Sequence, residues 1–156
     1  MQRTSFRDMS CSIAQCLDVV GEWWSLLIIR DAFLGYSRFD DFQERLGISR
    51  NVLNQRLTRL VDEGVFERVA YQEHPPRYDY RLTEKGRDLW QVLGAMRGWG
   101  RKWSTSPTGD LTAGHDWVHA ACGTQVRLET RCPQCDVVLA ATDIEPVPNG
   151  AAALPS

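Results

Sequence analysis

Apolar residues recur at helical spacing from early in the chain. Ile13, Leu17 and Val20 mark a short helix closing near Gly21. The run EWWSLLIIRDAFLG is apolar almost all round, which suits a central buried helix ending at Gly35. Ser37 is placed to cap the next helix, in which Phe39, Phe42 and Leu46 share one face and Gly47 marks the stop. Ser49 caps a longer helix, RNVLNQRLTRLVDEG, with Leu53, Leu57, Leu60 and Val61 as its inward stripe and Gly64 at its end.

The period then changes. VFERVAY and YDYRL read as two strands around the proline-bearing turn QEHPPR, which predicts a β-hairpin. Thr83 followed by Glu84 opens a last long helix through Trp103, striped by Leu89, Val92, Leu93, Met96 and Trp99. Gly94, Gly98 and Gly100 weaken that helix by about 1 kcal/mol each relative to alanine, so a bend or a close helix approach is expected there. STSPTGD reads as a linker, and DIEPVPNGAAALPS as a loose tail. No internal repeat is visible.

The predicted fold class is mainly α with a small β-hairpin wing, a winged helix-turn-helix, followed by a small β-rich appendage resembling a zinc ribbon. The domain boundaries expected are 1–103 for DNA binding and dimerisation, 104–114 for a linker, 115–142 for the ribbon and 143–156 for a tail.

Helix, helix, helix, hairpin and helix in this order is how a winged helix presents its second short helix to the major groove. The recognition helix spans about residues 49–63 and the wing about 72–78. Opposite the leucine stripe lie Asn51, Asn54, Gln55, Thr58 and Arg59, flanked by Arg50 and Arg56. Asn and Gln pair with adenine edges, and Arg with guanine edges or phosphate. Ser49 leaves helix N–H groups beside a phosphate, where the helix dipole favours an anion. His74 and Arg77 sit at the wing tip, fit for the backbone or the minor groove, and Arg38 is a further phosphate candidate. These residues make double-stranded DNA the expected partner. A polar face opposite a leucine stripe is also what any solvated helix shows, so the weight rests on the whole arrangement.

The net charge of −2 gives no global case for nucleic acid. Its distribution is more useful: residues 1–103 carry 16 Lys+Arg against 14 Asp+Glu, whereas 104–156 carry 2 against 6. The DNA-reading part is therefore mildly basic and the tail acidic, which permits a local DNA face. No stretch approaches the roughly 18 apolar residues of a membrane span, and the start lacks a signal-peptide core, so a cytoplasmic protein is expected.

Five cysteines make a poor disulfide framework in a reducing compartment. His119-x-x-Cys122-Gly123 and Cys132-x-x-Cys135 have metal-ligand spacing, with QVRLET and VVLAA as expected strands. The expected cofactor is a structural Zn(2+) on His119, Cys122, Cys132 and Cys135; His115 is an alternative ligand, and Asp136 replaces the glycine common after a second knuckle. A degenerate ribbon without metal is the competing reading.

Three stretches carry a family resemblance: CSIAQCLDVVGEWWSLLIIRDAFLG, RFDDFQERLGISRNVLNQRLTRLVDEGVFERVAY and HPPRYDYRLTEKG. From about Cys11 to Trp99 the chain resembles the HxlR-type regulators, relatives of the MarR group. The resemblance implies a homodimeric repressor or activator, a repressor being the expectation, acting on a palindromic operator with dimer contacts from the first and last helices. It also implies that Trp24 and Leu26 are packing positions. Cys11 falls where many relatives carry one N-terminal cysteine that in some senses oxidants, which makes it the redox candidate; Ser12 stands where proline is usual, and Cys16 is additional.

An enzyme is a weak rival, since no Gly-rich phosphate loop, Ser/His/Asp arrangement or acid pair is evident. A small-molecule effector bound among Trp23, Trp90 and Trp99 concerns the input only. A winged helix that binds protein alone is the third reading.

Overall fold

A computed structural model describes residues 5–103 and 115–147. The linker expected over 104–114 lies outside the described residues, as does the part of the tail beyond 147. The chain divides into two compact units, Met1–Leu93 and Gly94–Ser156. The division falls ten residues before the boundary expected at 103.

The first unit runs α1 (Ser12–Val20), α2 (Trp23–Phe33), α3 (Phe39–Leu46), α4 (Arg50–Asp62), β1 (Phe66–Gln72), β2 (Arg77–Leu82) and α5 (Glu84–Asp88), and it includes the start of α6 (Trp90–Trp103). Ile28, Ile29, Phe42, Leu53, Leu57, Leu60, Val65 and Phe66 form its core. Phe42 and Phe66 meet edge to face at 6.5 Å. Residues 53, 57 and 60 follow the helical period, so the leucine stripe of α4 points inward and its polar face outward. Gly47 and Gly64 both stand at positive φ, 63° and 69°, and end the helices before them.

Three local expectations need correction. Ser37 does not cap α3: Arg38 is the N-cap residue, and the Ser37 hydroxyl donates to Asp79 Oδ1 at 3.0 Å. Tyr80 N–H donates to the Ser37 carbonyl at 2.7 Å, and Arg38 bridges Asp79, so this segment lies along the hairpin like a short third strand. The stripe of α1 is only partly as expected: Val20 is buried, but Ile13 and Leu17 are exposed and Ala14 and Asp18 are buried instead. The last helix is two helices, broken at Leu89 rather than bent at the glycines.

That break follows from how α5 is held. Thr83 accepts the Gly86 N–H and donates to the Gly64 carbonyl at 2.6 Å, and Lys85 Nζ donates to the Glu63 carbonyl. Gly86 lies so close to the hairpin that a Cβ there would stand 2.2 Å from the Val65 carbonyl oxygen, an atom that cannot turn aside. Gly86→Ala is therefore expected to destabilise the fold by about 1–3 kcal/mol, as overpacking does. Urea unfolding checks this, with Gly98→Ala as a control, since nothing lies within 4 Å of a Cβ at Gly98.

In the second unit, Gly94 permits a close approach by Leu128, whose Cδ1 would lie 2.3 Å from a Cβ. Arg97 and Arg101 both pair with Asp116. The expected strands QVRLET and VVLAA are absent among the described residues; single bridges, Val118 to Gln125 and Arg131 to Val138, stand in their place. An unexpected repeat takes over. His119 N–H bonds the Thr124 carbonyl, Gly123 N–H the His119 carbonyl and Val126 N–H the Trp117 carbonyl. Cys132 to Val137, Asp136 to Cys132 and Leu139 to Thr130 repeat these three bonds thirteen residues later. Over residues 117–126 and 130–139 the only identity at this offset is Cys122 with Cys135, which is why the sequence shows no repeat.

Candidate nucleic-acid interface

The candidate reading face follows from the start of α4. Ser49 Oγ accepts the Val52 N–H at 3.3 Å, fixing the first turn. With the leucines turned inward, Ser49, Arg50, Asn51, Asn54, Gln55 and Thr58 are all exposed. The hairpin turn carries His74 and Arg77, also exposed.

α4, the start of α3 and the wing enclose a cleft of about 550 Å³ whose lining includes Arg38, Arg50, Asn51, Asn54 and Arg77. Two of its arginines are held in place by neighbours. Arg50 lies 4.8 Å over the Phe39 ring and donates to Asp40 Oδ1 and Gln43 Oε1, each at 3.1 Å. Arg38 lies 4.8 Å over the Tyr71 ring and 3.8 Å from Asp79. Both side chains stay more than half exposed, so their charge faces the cleft at little desolvation cost.

Arg56 and Arg59 are placed differently. Arg56 pairs with Glu22 at 3.1 Å. Arg59 donates to the Asp18 backbone carbonyl at 2.8 Å and to its carboxylate at 3.0 Å, and also lies 3.4 Å from Glu63. Asp18 is buried and is a hub that the sequence did not reveal. It also accepts from Phe6 N–H at 3.0 Å, from Arg7 Nε and from the Ser5 hydroxyl. Arg7 continues to Glu63, and Gln15 donates to the carbonyls of Phe6, Arg7 and Met9. The segment before α1 is thereby fastened to the recognition helix. A lone aspartate in a mostly apolar helix is the one signal that could have pointed to this.

Residues 19–107, more than half of the chain, match the family described as HxlR-like helix-turn-helix. The chain belongs to that family. An HTH-type transcriptional regulator of Mycobacterium tuberculosis is 38% identical over 138 residues, covering 88% of this chain and 85% of the relative. Among solved structures, the candidate transcription factor PA1607 is 40% identical with a TM-score of 0.78, over 92% of this chain and 99% of that one. The oxidized form of the redox regulator HypR is 31% identical with a TM-score of 0.54, over 62% of this chain and all of its own. This HxlR-like chain is accordingly a helix-turn-helix transcription regulator of the DNA-binding, MarR-like kind, and not an enzyme. No single helix among its described residues is long and apolar enough to cross a membrane.

Cys11 is exposed at the N-cap of α1, and Cys16 is half-buried. In the second unit His119 Nδ1 stands 3.2 Å from Cys122 Sγ. Hydrogen bonding from the Thr124 side chain, then its amide, holds the Cys122 thiol below its ordinary pKa. Cys132 is lowered in the same way by the Cys135 amide, the Cys135 thiol and the Gln134 amide. Each predicted ligand pair is thus brought together, but among the described residues no three ligating side chains form one group. His115 is exposed.

Proposed function

We propose that this chain is a repressor that binds a palindromic operator as a homodimer. The observation that carries the reading is the shared cleft, in which the start of α4 and the wing turn unburied polar side chains and three arginines toward one ligand. Asn51, Asn54, Gln55 and Thr58 enter the major groove and read base edges. Ser49, Arg38, Arg50 and Arg77 hold phosphates, with His74 on the wing beside the backbone or minor groove. Arg56 and Arg59 rank behind Arg38, Arg50 and Arg77 as phosphate contacts, because their side chains are only 22% and 31% exposed, whereas Arg38 and Arg50, although also paired, stay 60% and 68% exposed.

A second copy of the chain is the partner we assign to the uncovered apolar side chains. Ile13 and Leu17 of α1 and Trp23 of α2 are exposed, Trp23 by 89%, as are Met96, Trp99 and Trp103 of α6. Isolated exposed apolar residues are common, whereas three bulky ones on α6 alone ask for a partner. Two copies set their recognition helices about one DNA turn apart, roughly 34 Å. Oxidation of Cys11 is the input we favour over an apolar ligand, since the thiol is exposed at a helix start and one structural relative is a redox regulator.

The test is selection of genomic fragments by the purified protein at moderate salt, followed by sequencing. Enrichment of one or a few palindromes is the expected result. Asn54→Ala or Gln55→Ala should change which bases are preferred, by about 1–3 kcal/mol at the affected position. Retention at background level, with reduced and oxidized protein alike, would remove the reading.

A further inference from the structure

The winged helix gives no role to the second unit, which has an unusual problem of stability. Among its described residues none is buried; Trp117, Val126, Cys132 and Leu139 are only partly so, and Val118, Val137 and Val138 are exposed. A piece of chain this small, without a core of its own, ordinarily needs a disulfide, a metal or a partner. The unit's two predicted ligand pairs, His119 with Cys122 and Cys132 with Cys135, sit in the two turns that repeat at thirteen residues, and His115 lies before them.

Those turns have the backbone of metal knuckles. In each, the residue after the second ligand turns its N–H back to the first ligand's carbonyl, Gly123 to His119 and Asp136 to Cys132. That return needs positive φ, 70° at Gly123 and 54° at Asp136. Asp136 is the only non-glycine residue with positive φ among the described residues, and Arg131 grips its carbonyl at 2.8 Å and its carboxylate at 3.2 Å. A residue kept in a conformation it disfavours suggests that the turn shape matters. The ligand spacing agrees. Two ligands of one tetrahedral zinc lie about 3.5 Å apart, given Zn–S near 2.3 Å and Zn–N near 2.0 Å. His119 Nδ1 and Cys122 Sγ are 3.2 Å apart.

We infer that His119, Cys122, Cys132 and Cys135 close as two half-sites on a single zinc ion, which serves as the missing core of the second unit. The ion is what draws the two pairs into one group of four. Three sulfurs and one imidazole select a soft divalent ion over magnesium or calcium, and four protein ligands leave no open position for catalysis. The site is structural. It does not depend on the DNA-binding reading.

The full-length protein, purified in zinc-supplemented medium and extensively dialysed, should carry about one zinc per chain by elemental analysis. Replacing zinc with cobalt should give the intense visible bands of a tetrahedral ion together with thiolate-to-metal charge transfer. Cys132→Ser/Cys135→Ser should lose the metal, and His119→Cys should keep it with the cobalt spectrum moved toward four sulfurs. The wild-type cobalt spectrum stands whether or not a variant folds. A wild-type metal content equal to that of the double variant, a weak octahedral cobalt spectrum, or two ions per chain would each overturn the inference.

Discussion

Asp18→Ala is expected to destabilise the winged helix by about 2–4 kcal/mol, seen as a fall in Tm of roughly 10 °C. The size follows from the partners. Asp18 is 3% exposed and accepts hydrogen bonds from Ser5, Phe6, Arg7 and Arg59. A hydrogen bond to a charged group contributes about 1.5–3 kcal/mol, and breaking a buried pair costs about 3–5 kcal/mol because the remaining charge is stranded. Arg59 is about one-third exposed, with Glu63 still in reach, so part of that penalty is relieved and the lower figures apply. Asp18→Asn should cost less, since it keeps an acceptor. Because Arg59 belongs to α4, the alanine variant should also free the segment before α1 to proteolysis. A loss below about 1 kcal/mol in Asp18→Ala would mean that the hub is not structural.

Arg50→Ala/Arg77→Ala is expected to weaken operator binding by at least about 10²-fold at moderate salt while leaving the preferred sequence unchanged. Both side chains face the cleft and neither is buried. Each phosphate contact adds about 0.9 to the slope of log affinity against log salt, so a dimer that loses four should have a slope shallower by about 4. A change of only about 2 would mean that a single winged helix engages the site. Arg56→Ala is the control: its guanidinium already pairs with Glu22, so the slope should hold while stability falls slightly. Fluorescence anisotropy over a salt series reads all three. An unchanged slope in the double variant would remove Arg50 and Arg77 from the phosphate set.

Much of the first unit was legible in the sequence because its signals are local. The leucine stripe of α4, the Ser49 cap, the stops at Gly47 and Gly64 and the hairpin around two prolines each depend on residues a few positions apart. The same locality exposed Asn51, Asn54, Gln55 and Thr58 as one polar face. Where the reading failed, the deciding partner was distant in sequence. Ser37 looked like a helix cap until Asp79, forty-two residues on, took its hydroxyl. Arg59 likewise has a partner that no local pattern marks, Asp18, forty-one residues away.

Residue order alone carries the elements from α1 to the hairpin, the family and the polar face of the recognition helix, because periodicity and caps are short-range physics. The folded chain shows which arginines pair within it: Arg50 with Asp40, Arg56 with Glu22 and Arg59 with Asp18. A well-exposed arginine and a largely covered one look identical in sequence, and only their tertiary neighbours separate them. The tertiary structure also decided that the last helix breaks at Leu89, since Gly86 must lie against the Val65 carbonyl, and that the two knuckles share one backbone pattern. Hydrogen bonds between main-chain atoms leave almost no mark on residue identity, so a repeat built from them emerges only when the chain is folded.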